Sequence, residues 1–266
     1  MNRLQGKTAV ITGGNSGVGE AAALLFAKEG ANVVISARRA SALDAVAEKI
    51  KAAGGSVLTV PTDISQDADC KALMKAAKDK FGAIDILVNN AGVLDTGLKA
   101  IDKYLDEDAE KVIAINEVGT MQCIRAALEY METGASIVNV ASVAGYNGGG
   151  GAVYVASKAA IIGITKHTAL LLANKYIRCN AVCPGNFYEG PLWSNPENGL
   201  FLQYLHAGKV PGAKTVEDVR KYYMDQVPMR KGTGPEDVTK AVLYLIEQTC
   251  ETGQAVPVTG GQVMLS

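Results

Sequence analysis

The chain contains few cysteines and histidines, and their spacing argues against several classes of protein. Its 266 residues include five cysteines with no C-x-x-C pair and only two histidines, His167 and His206. A disulfide framework and a metal site are therefore not expected. A Ser-His-Asp hydrolase is not expected either, because Ser142 lacks the G-x-S-x-G turn of many such enzymes.

The sequence also lacks strong charge and a long apolar segment. The formal net charge is −1 and no dense run of lysine or arginine occurs, so nucleic acid and anionic membrane surfaces are not expected partners. Apolar stretches end long before the ~20 residues that a membrane-spanning helix needs. The first seven residues do not resemble a secretory signal. We expect a cytoplasmic protein that acts on a small molecule.

Apolar strands alternate with helices along the whole chain. Strands are predicted at 7–12, 32–37, 57–60, 84–89, 136–141, 177–182 and 256–258, and helices at 20–29, 41–53, 66–81, 107–131, 153–173 and 235–247. This alternation is typical of a parallel sheet covered by helices on both faces. No linker divides residues 1–266, so one α/β domain is predicted. The long connection 185–227 interrupts the pattern and is predicted to form a lid.

Tyr154 and Lys158 are four residues apart in the predicted helix 153–173. Residues at this spacing share one face of a helix. A neighbouring ammonium favours the phenolate, so Lys158 is expected to lower the pKa of Tyr154 and make it a general acid/base. The alternative is an ordinary Tyr/Lys pair on a solvated helix.

A glycine-rich turn joins the first strand to the first helix, at residues 12–19. Glycines allow the backbone to approach a pyrophosphate at the N-terminus of the helix. The spacing T-G-x-x-x-G-x-G fits the dinucleotide fingerprint only loosely, but its position at the first strand–helix junction favours a nucleotide over a merely tight turn.

The end of the second strand bears on the choice of nucleotide. An acidic residue here would bind the ribose hydroxyls of NAD, but Ala37 occupies the position and is followed by Arg38 and Arg39. A guanidinium suits a 2′-phosphate in charge and geometry. NADP(H) is therefore predicted; the alternative is a solvated arginine at the start of the next helix.

Several motifs together resemble the short-chain dehydrogenase/reductase family, in the order typical of that family. They are the turn 12–19, Asp63, the run Asn89-Asn90-Ala91-Gly92, Asn116, Ser142, the Tyr154/Lys158 pair, and Cys183-Pro184-Gly185. The resemblance implies a doubly wound, Rossmann-like single domain and a nicotinamide-dependent interconversion of an alcohol and a carbonyl compound. A homodimer or homotetramer, formed through helices 107–131 and 153–173, is also implied.

The resemblance implies four catalytic residues. Tyr154 would exchange a proton with the reacting oxygen, and Lys158 would bind the nicotinamide ribose. Ser142 would orient the reacting oxygen by a hydrogen bond. Asn116 would anchor a water that passes protons to Lys158.

The resemblance also implies contacts with the nucleotide. Asp63 and Ile64 would frame the adenine, and Asn90 and Gly92 would pack against the adenosine ribose. The full set of expected cofactor contacts is Gly13, Asn15, Ser16, Gly17, Val18, Gly19, Arg38, Arg39, Asp63, Ile64, Asn90, Ala91, Gly92, Tyr154, Lys158, Pro184 and Gly185.

Three departures from the family pattern stand out. The Ser142–Tyr154 spacing is one residue shorter than is common, and Glu117 stands where an apolar residue is usual. The run after Gly185 lacks the family's threonine that contacts the nicotinamide amide.

Two observations conflict over the substrate. The C-terminal part, from Pro184 to Met264, resembles sorbitol-6-phosphate dehydrogenases and implies a sugar alcohol or its phosphate. The lid, however, is rich in aromatic and aliphatic residues, and no arginine occurs between Asn186 and His206, although arginines are expected in a phosphate site. We therefore expect a bulky apolar ketone of hydroxysteroid or bile-acid type, with contacts from Phe187, Tyr188 and Trp193.

Two alternatives remain open at the level of sequence. The apolar lid residues could pack the lid itself or a subunit interface. The chain could also bind a nucleotide without turnover, as a redox sensor or scaffold.

Overall fold

Seven parallel strands form one sheet in the computed structural model, which describes residues 2–264 apart from the side chain of Pro191. They are β1 (Thr8–Thr12), β2 (Asn32–Ala37), β3 (Ser56–Pro61), β4 (Ile86–Asn89), β5 (Ser136–Val140), β6 (Arg178–Pro184) and β7 (Ala255–Val258). Their order is β3-β2-β1-β4-β5-β6-β7. The strand order reverses between β3 and β4, so the fold is the expected doubly wound sheet, and the carboxyl ends of β1 and β4 border the crevice where such folds bind ligands.

Helices cover both faces of the sheet. They are α1 (Gly17–Lys28), α2 (Ala40–Ala52), α3 (Asp67–Phe81), α4 (Asp106–Val112), α5 (Thr120–Ala127), α6 (Ala144–Asn147), α7 (Ala152–Leu172), α8 (Pro191–Ser194), α9 (Leu200–His206), α10 (Val216–Asp225) and α11 (Pro235–Glu247). Helices α1, α2 and α11 pack on one face, and α3, α5 and α7 pack on the other.

The alternation of side chains along the strands creates the two cores. In β2, Val33 and Ile35 contact the α1/α2/α11 side, while Val34 contacts the α3/α5/α7 side. All three are fully buried. A strand buried on both faces requires a continuous apolar run, which is why the strands were predictable from the sequence.

The predicted single helix 107–131 is wrong in detail. A π-helical stretch, Ile113–Gly119, separates α4 from α5, and α5 ends at Ala127. Where this stretch meets α5, the Thr120 hydroxyl donates to the Asn116 carbonyl oxygen at 2.7 Å. The Asn116 side chain bonds to Val93 in the loop after β4. Side-chain bonds of this kind disturb the regular helical ladder and accompany π-bulges.

The segment 185–227 contains three helices, α8, α9 and α10, around a small core of its own. Trp193 is the centre of this core, with ring centroids 4.9 Å from Tyr188 and 5.0 Å from Phe201. The segment 185–227 is therefore an ordered unit with a core of its own, as we expect of a lid.

Helix α7 is unusually apolar. Together with the 3₁₀ turn Ala173–Lys175, it is the one helix within residues 2–264 that is long and apolar enough to cross a membrane, by length and composition alone. It packs closely against β6 and carries Tyr154 and Lys158 at the sheet edge. Its place in the domain core accounts for buried residues such as Ile161 and Leu172, whereas Leu170 and Leu171 on the same helix are exposed.

Candidate active site

The turn between β1 and α1 is shaped by glycines. Gly13 and Gly17 have φ angles of +65° and +55°, which glycine adopts without strain. A Cβ on Gly19 would lie 2.2 Å from the Gly13 carbonyl oxygen and 2.5 Å from the Asn90 amide nitrogen. Gly19 therefore lies behind the turn, while five other predicted contacts line the cleft: Gly13, Asn15, Ser16, Gly17 and Val18.

Asn90 and Thr12 hold this turn from the β4 side. The Asn90 amide donates to the carbonyl oxygens of Thr12 and Gly13 at 3.1 and 3.0 Å. The Thr12 hydroxyl in turn accepts from the backbone N–H groups of Asn90 and Ala91, both at 3.1 Å. Asn90, Ala91 and Gly92 line the cleft as expected, and Asn90 in addition holds the glycine-rich turn in place.

Two arginines and an aspartate lie at the ends of β2 and β3. Arg38 and Arg39 line the cleft and are exposed, and neither forms a salt bridge among the described residues. Asp63 and Ile64 line the neighbouring wall. The Asp63 carboxylate accepts from the backbone N–H and hydroxyl of Ser65 at 3.0 and 2.7 Å, which fixes its orientation.

Tyr154 and Lys158 share one face of α7, as their spacing predicted. The Lys158 ammonium lies 5.6 Å from the centre of the Tyr154 ring and donates to the Val140 carbonyl oxygen at 2.8 Å. Burial lowers the pKa of Lys158 to about 8. Burial also raises the pKa of Tyr154, the Ser142 hydroxyl partly opposes this, and the Asp95 carboxylate adds to it.

The expectation that Lys158 lowers the pKa of Tyr154 is therefore wrong for this structure. Burial of the phenol is the largest influence on this pKa, because a charged phenolate is poorly stabilised in a buried position, and the Ser142 hydroxyl opposes it only in part. Tyr154 consequently carries its proton at neutral pH, which is the state of a proton donor.

Asn116 lies behind the cleft. It is 1% exposed, and its side chain accepts from the Val93 N–H at 2.8 Å and donates to the Val93 carbonyl oxygen and the Ser157 hydroxyl at 2.9 and 3.0 Å. The Ser157 hydroxyl continues this chain to the Tyr154 carbonyl oxygen at 2.8 Å. Asn116 thus links the β4 loop to the helix that carries the Tyr154/Lys158 pair.

Ser142 extends from the end of β5 into the same cleft. Its hydroxyl accepts from the Ala144 N–H at 3.1 Å, which fixes the oxygen close to Tyr154. Pro184 and Gly185, at the end of β6, form the adjoining wall. A Cβ on Gly185 would lie 3.0 Å from Gln262 Oε1 and from Thr233 Oγ1, so the wall is tight at this point.

The three predicted substrate contacts also line the cleft, but two of them are core residues of the 185–227 segment. Tyr188 is 2% exposed and Trp193 is 7% exposed. Phe187 is half-buried and packs against the α1/α2/α11 core. The aromatic residues therefore stabilise the segment and, with the same side chains, present an apolar wall to the cleft.

The cleft runs without interruption from the glycine turn to the aromatic wall. Its volume is about 1390 Å³, above the ~300–1,000 Å³ typical of a site for one small ligand. Of the charged residues that line it, Arg38, Arg39 and Asp63 belong to the β2–β3 end and Lys158 lies beside Tyr154. The residues present fit a dinucleotide together with a second, largely apolar molecule.

Some residues that shape the site were not singled out from the sequence. Ser157 and Gln262 carry no motif of their own, and Thr12 was noted only as the first residue of the turn. Asp95, which acts on Tyr154, lies three residues after the recognised run that ends at Gly92. Only the tertiary contacts reveal these roles.

Comparison with known proteins agrees with this geometry. A family model described as short chain dehydrogenase matches residues 7–195. The 3-oxoacyl-(acyl-carrier-protein) reductase FabG of Thermotoga maritima is 34% identical over 267 residues, covering 98% of this chain and all of the relative. The 3beta-hydroxysteroid dehydrogenase of Mediterraneibacter gnavus is 33% identical over 268 residues, covering 98% and 96% of the two chains.

Solved structures show the same fold. A crystal structure of an actinorhodin polyketide ketoreductase variant with NADPH superposes with a TM-score of 0.82 at 30% sequence identity, covering 96% of this chain and 97% of that chain.

Proposed function

The chain belongs to the short-chain dehydrogenase/reductase family, oxidoreductases that act on CH–OH groups, and we propose that it is an NADP(H)-dependent enzyme for a bulky, apolar secondary alcohol or its ketone. The observation that carries this proposal is a continuous cleft that joins two arginines without a salt bridge among residues 2–264, the Tyr154/Lys158 pair and an apolar aromatic wall.

The residues of the chain supply binding, orientation and proton transfer. The nicotinamide, when bound, supplies or accepts the hydride. In reduction, the Tyr154 phenol gives its proton to the carbonyl oxygen, and in oxidation the phenolate takes a proton from the alcohol. Ser142 donates a hydrogen bond to the same oxygen. Lys158, protonated at neutral pH, places a positive charge beside the phenol when its proton leaves.

A turnover panel tests the reaction and the substrate class together. It contains hydroxysteroids or bile acids, polyols and their phosphates, and simple ketones, each with NADPH or NADP⁺. We expect activity with the hydroxysteroid class, because the cleft-lining residues of 185–227 are uncharged. Activity confined to polyol phosphates would favour the sorbitol-6-phosphate alternative, and nucleotide binding without turnover across the panel would favour a redox sensor.

Replacing Tyr154 by phenylalanine tests the proton step. We expect kcat to fall by about 10²–10⁴-fold, the usual contribution of general acid catalysis. Tyr176→Phe is the matched control, since Tyr176 is 74% exposed and should leave kcat unchanged. Full kcat in a folded Tyr154→Phe enzyme would contradict the mechanism.

The preference for NADP(H) rests on Arg38 and Arg39. A hydrogen bond to a charged group is worth about 1.5–3 kcal/mol, so Arg38→Ala should weaken NADPH by about ten- to a hundredfold while NADH changes little. Ala37→Asp should act in the same direction. Lys240→Ala, which removes an exposed cation on α11, is the control. Equal use of NADH and NADPH by the wild type at the same low concentration would refute the assignment.

Members of this family commonly oligomerise, and we propose a homodimer or homotetramer formed through α4–α5 and α7. The support is the exposed apolar side chains on these helices: Ile113, Met121, Leu170 and Leu171. Leu170 and Leu171 are adjacent and 82% and 60% exposed, and exposed apolar side chains that lie together are typical of a surface that another subunit covers.

A further inference from the structure

Asp95 is a buried acid with no hydrogen-bond partner. It lies in the loop after β4 and is 4% exposed, and neither carboxylate oxygen has a partner within residues 2–264. Other buried acids of the protein are satisfied: Asp108 accepts from the N–H and hydroxyl of Thr96, and Glu29 accepts from two backbone N–H groups. Burying an unpaired charge is costly, so the fold retains Asp95 against a penalty.

The carboxylate lies against the beginning of the catalytic helix. A Cβ on Gly151, the residue before α7, would be 2.1 Å from both Oδ1 and Oδ2 of Asp95. The Ala152 N–H donates to the Lys99 carbonyl oxygen at 2.9 Å, which ties the same loop to the helix. The positive end of the helix dipole favours an anion at this point. Tyr154 is the third residue of α7.

Few ionisable or charged groups surround the Tyr154 phenol. Its own helix provides Lys158, and the loop after β4 provides Asp95; the end of β5 provides the uncharged Ser142. Tyr146 and Cys183 influence each other, and Cys183 also influences Lys158. The parts of 185–227 that line the cleft carry no charge; they include Phe187, Tyr188, Leu192, Trp193, Leu200, Tyr204, Tyr223 and Gln226.

We propose that Asp95 is a positioning residue for the proton donor: buried without a partner at the first turn of α7, its carboxylate helps to set the pH at which Tyr154 exchanges its proton. The inference rests on the proposed role of Tyr154. An anion near a phenol disfavours the phenolate, so the Asp95 carboxylate acts on the Tyr154 pKa in the same direction as burial and against the Ser142 hydroxyl.

Asp95→Asn tests this inference, because it removes the charge and nearly preserves the shape. Two titration midpoints, each the pH at which half of the change has occurred, are measured. The first is the pH dependence of kcat/KM for alcohol oxidation. The second is the titration of the Tyr154 phenol by ¹³C NMR of Cζ-labelled tyrosine, with the Tyr154 signal assigned by Tyr154→Phe. We expect both midpoints to move to lower pH. Asp102→Asn, an exposed acid in the same loop, makes the same change in net charge and should leave both midpoints in place.

The outcomes separate this inference from the proposed function. Unchanged midpoints in Asp95→Asn, with Tyr154→Phe inactive, would overturn the role of Asp95 and leave the function intact. Turnover by Tyr154→Phe would overturn the function, while the NMR titration would still decide whether Asp95 controls the phenol. Asp95→Ala is the second neutral variant. Loss of fold in both variants, judged by circular dichroism and thermal melting, would assign Asp95 to stability alone and overturn the proposal.

Discussion

Replacing Lys158 by methionine should change the pH dependence of stability in a way that the structure determines. Lys158 is 6% exposed, and burial lowers its pKa from 10.5 to about 8. Between these two values the unfolded chain holds a proton on this lysine that the folded protein has released. Stability therefore rises with pH across this window, because stability rises wherever the unfolded state binds more protons. Below pH 8 the buried ammonium destabilises the fold in full, and above 10.5 that penalty is gone.

The size of the effect follows from the same two values. The gap between 10.5 and about 8, at roughly 1.4 kcal/mol per pH unit, amounts to about 3 kcal/mol. Methionine has no proton to release, so the stability of Lys158→Met lacks this dependence on pH. The free energy of unfolding of the wild type, relative to that of Lys158→Met, should therefore increase by about this amount between pH 8 and pH 10.5. The bond from Lys158 to the Val140 carbonyl oxygen adds an offset without reversing the slope.

Urea unfolding of the two proteins without nucleotide, at half-unit steps from pH 7 to pH 10.5, measures this difference. Taking the difference between variants removes most of the contribution of the buried thiols Cys179 and Cys183, whose pKa values burial raises to about 12 and about 11. Lys166→Met, an exposed lysine on the same helix, should give a flat difference. A flat or falling difference for Lys158→Met would refute the conclusion that this ammonium is destabilised by burial.

Two further substitutions probe the packing of the site. Gly19→Ala places a methyl group 2.2 Å from the Gly13 carbonyl oxygen and should cost about 3 kcal/mol, near the upper end for overpacking, with a drop in Tm of roughly 6–12 °C and loss of NADPH binding. Gly163→Ala, where an added Cβ meets open space within α7, should instead raise stability slightly; equal Tm values for the two variants would contradict this reading of the turn. Trp193→Ala should cost about 3–5 kcal/mol in a chemical denaturation curve because it empties the centre of the aromatic core. Leu192→Ala, at a 45% exposed neighbour, should cost far less, and a similar cost for both would mean that Trp193 is not a packing residue.

The sheet was predictable because burial on both faces constrains each strand locally. The predicted strands 32–37 and 136–141 match β2 and β5 within one residue, since a continuous apolar run needs no distant information. The interruption between α4 and α5 was not predictable in this way. The π-helical stretch accompanies hydrogen bonds from Asn116 to Val93 and Ser157, which are 23 and 41 residues away in sequence. Helical periodicity depends on neighbouring residues only and cannot predict such distant bonds.

The candidate site shows the same division between local and tertiary information. The position of Tyr154 next to Lys158 follows from a spacing of four residues and is confirmed by their 5.6 Å approach. The direction of the phenol's pKa does not follow from spacing, because it depends on how much of the ring is removed from water and on Asp95, which is 59 residues away. The local sequence therefore predicts that Tyr154 and Lys158 lie side by side, whereas the protonation state of Tyr154 depends on the surrounding fold.

The separation between the sheet cores and the core of the 185–227 segment bears on how the substrate is selected. Tyr188, Trp193 and Phe201 pack with one another rather than with the sheet, while the glycine turn and Tyr154 depend on β1, β4 and α7. Changes within the 185–227 segment therefore act mainly on its own stability and on the apolar end of the cleft. The apolar wall of the cleft therefore belongs to a segment with a core of its own, which joins the rest of the domain through Phe187 on the α1/α2/α11 side and Leu98 of the loop after β4. Under the proposed function, we expect substitutions in this wall to change the choice of substrate while Tyr154 and the glycine turn stay in place.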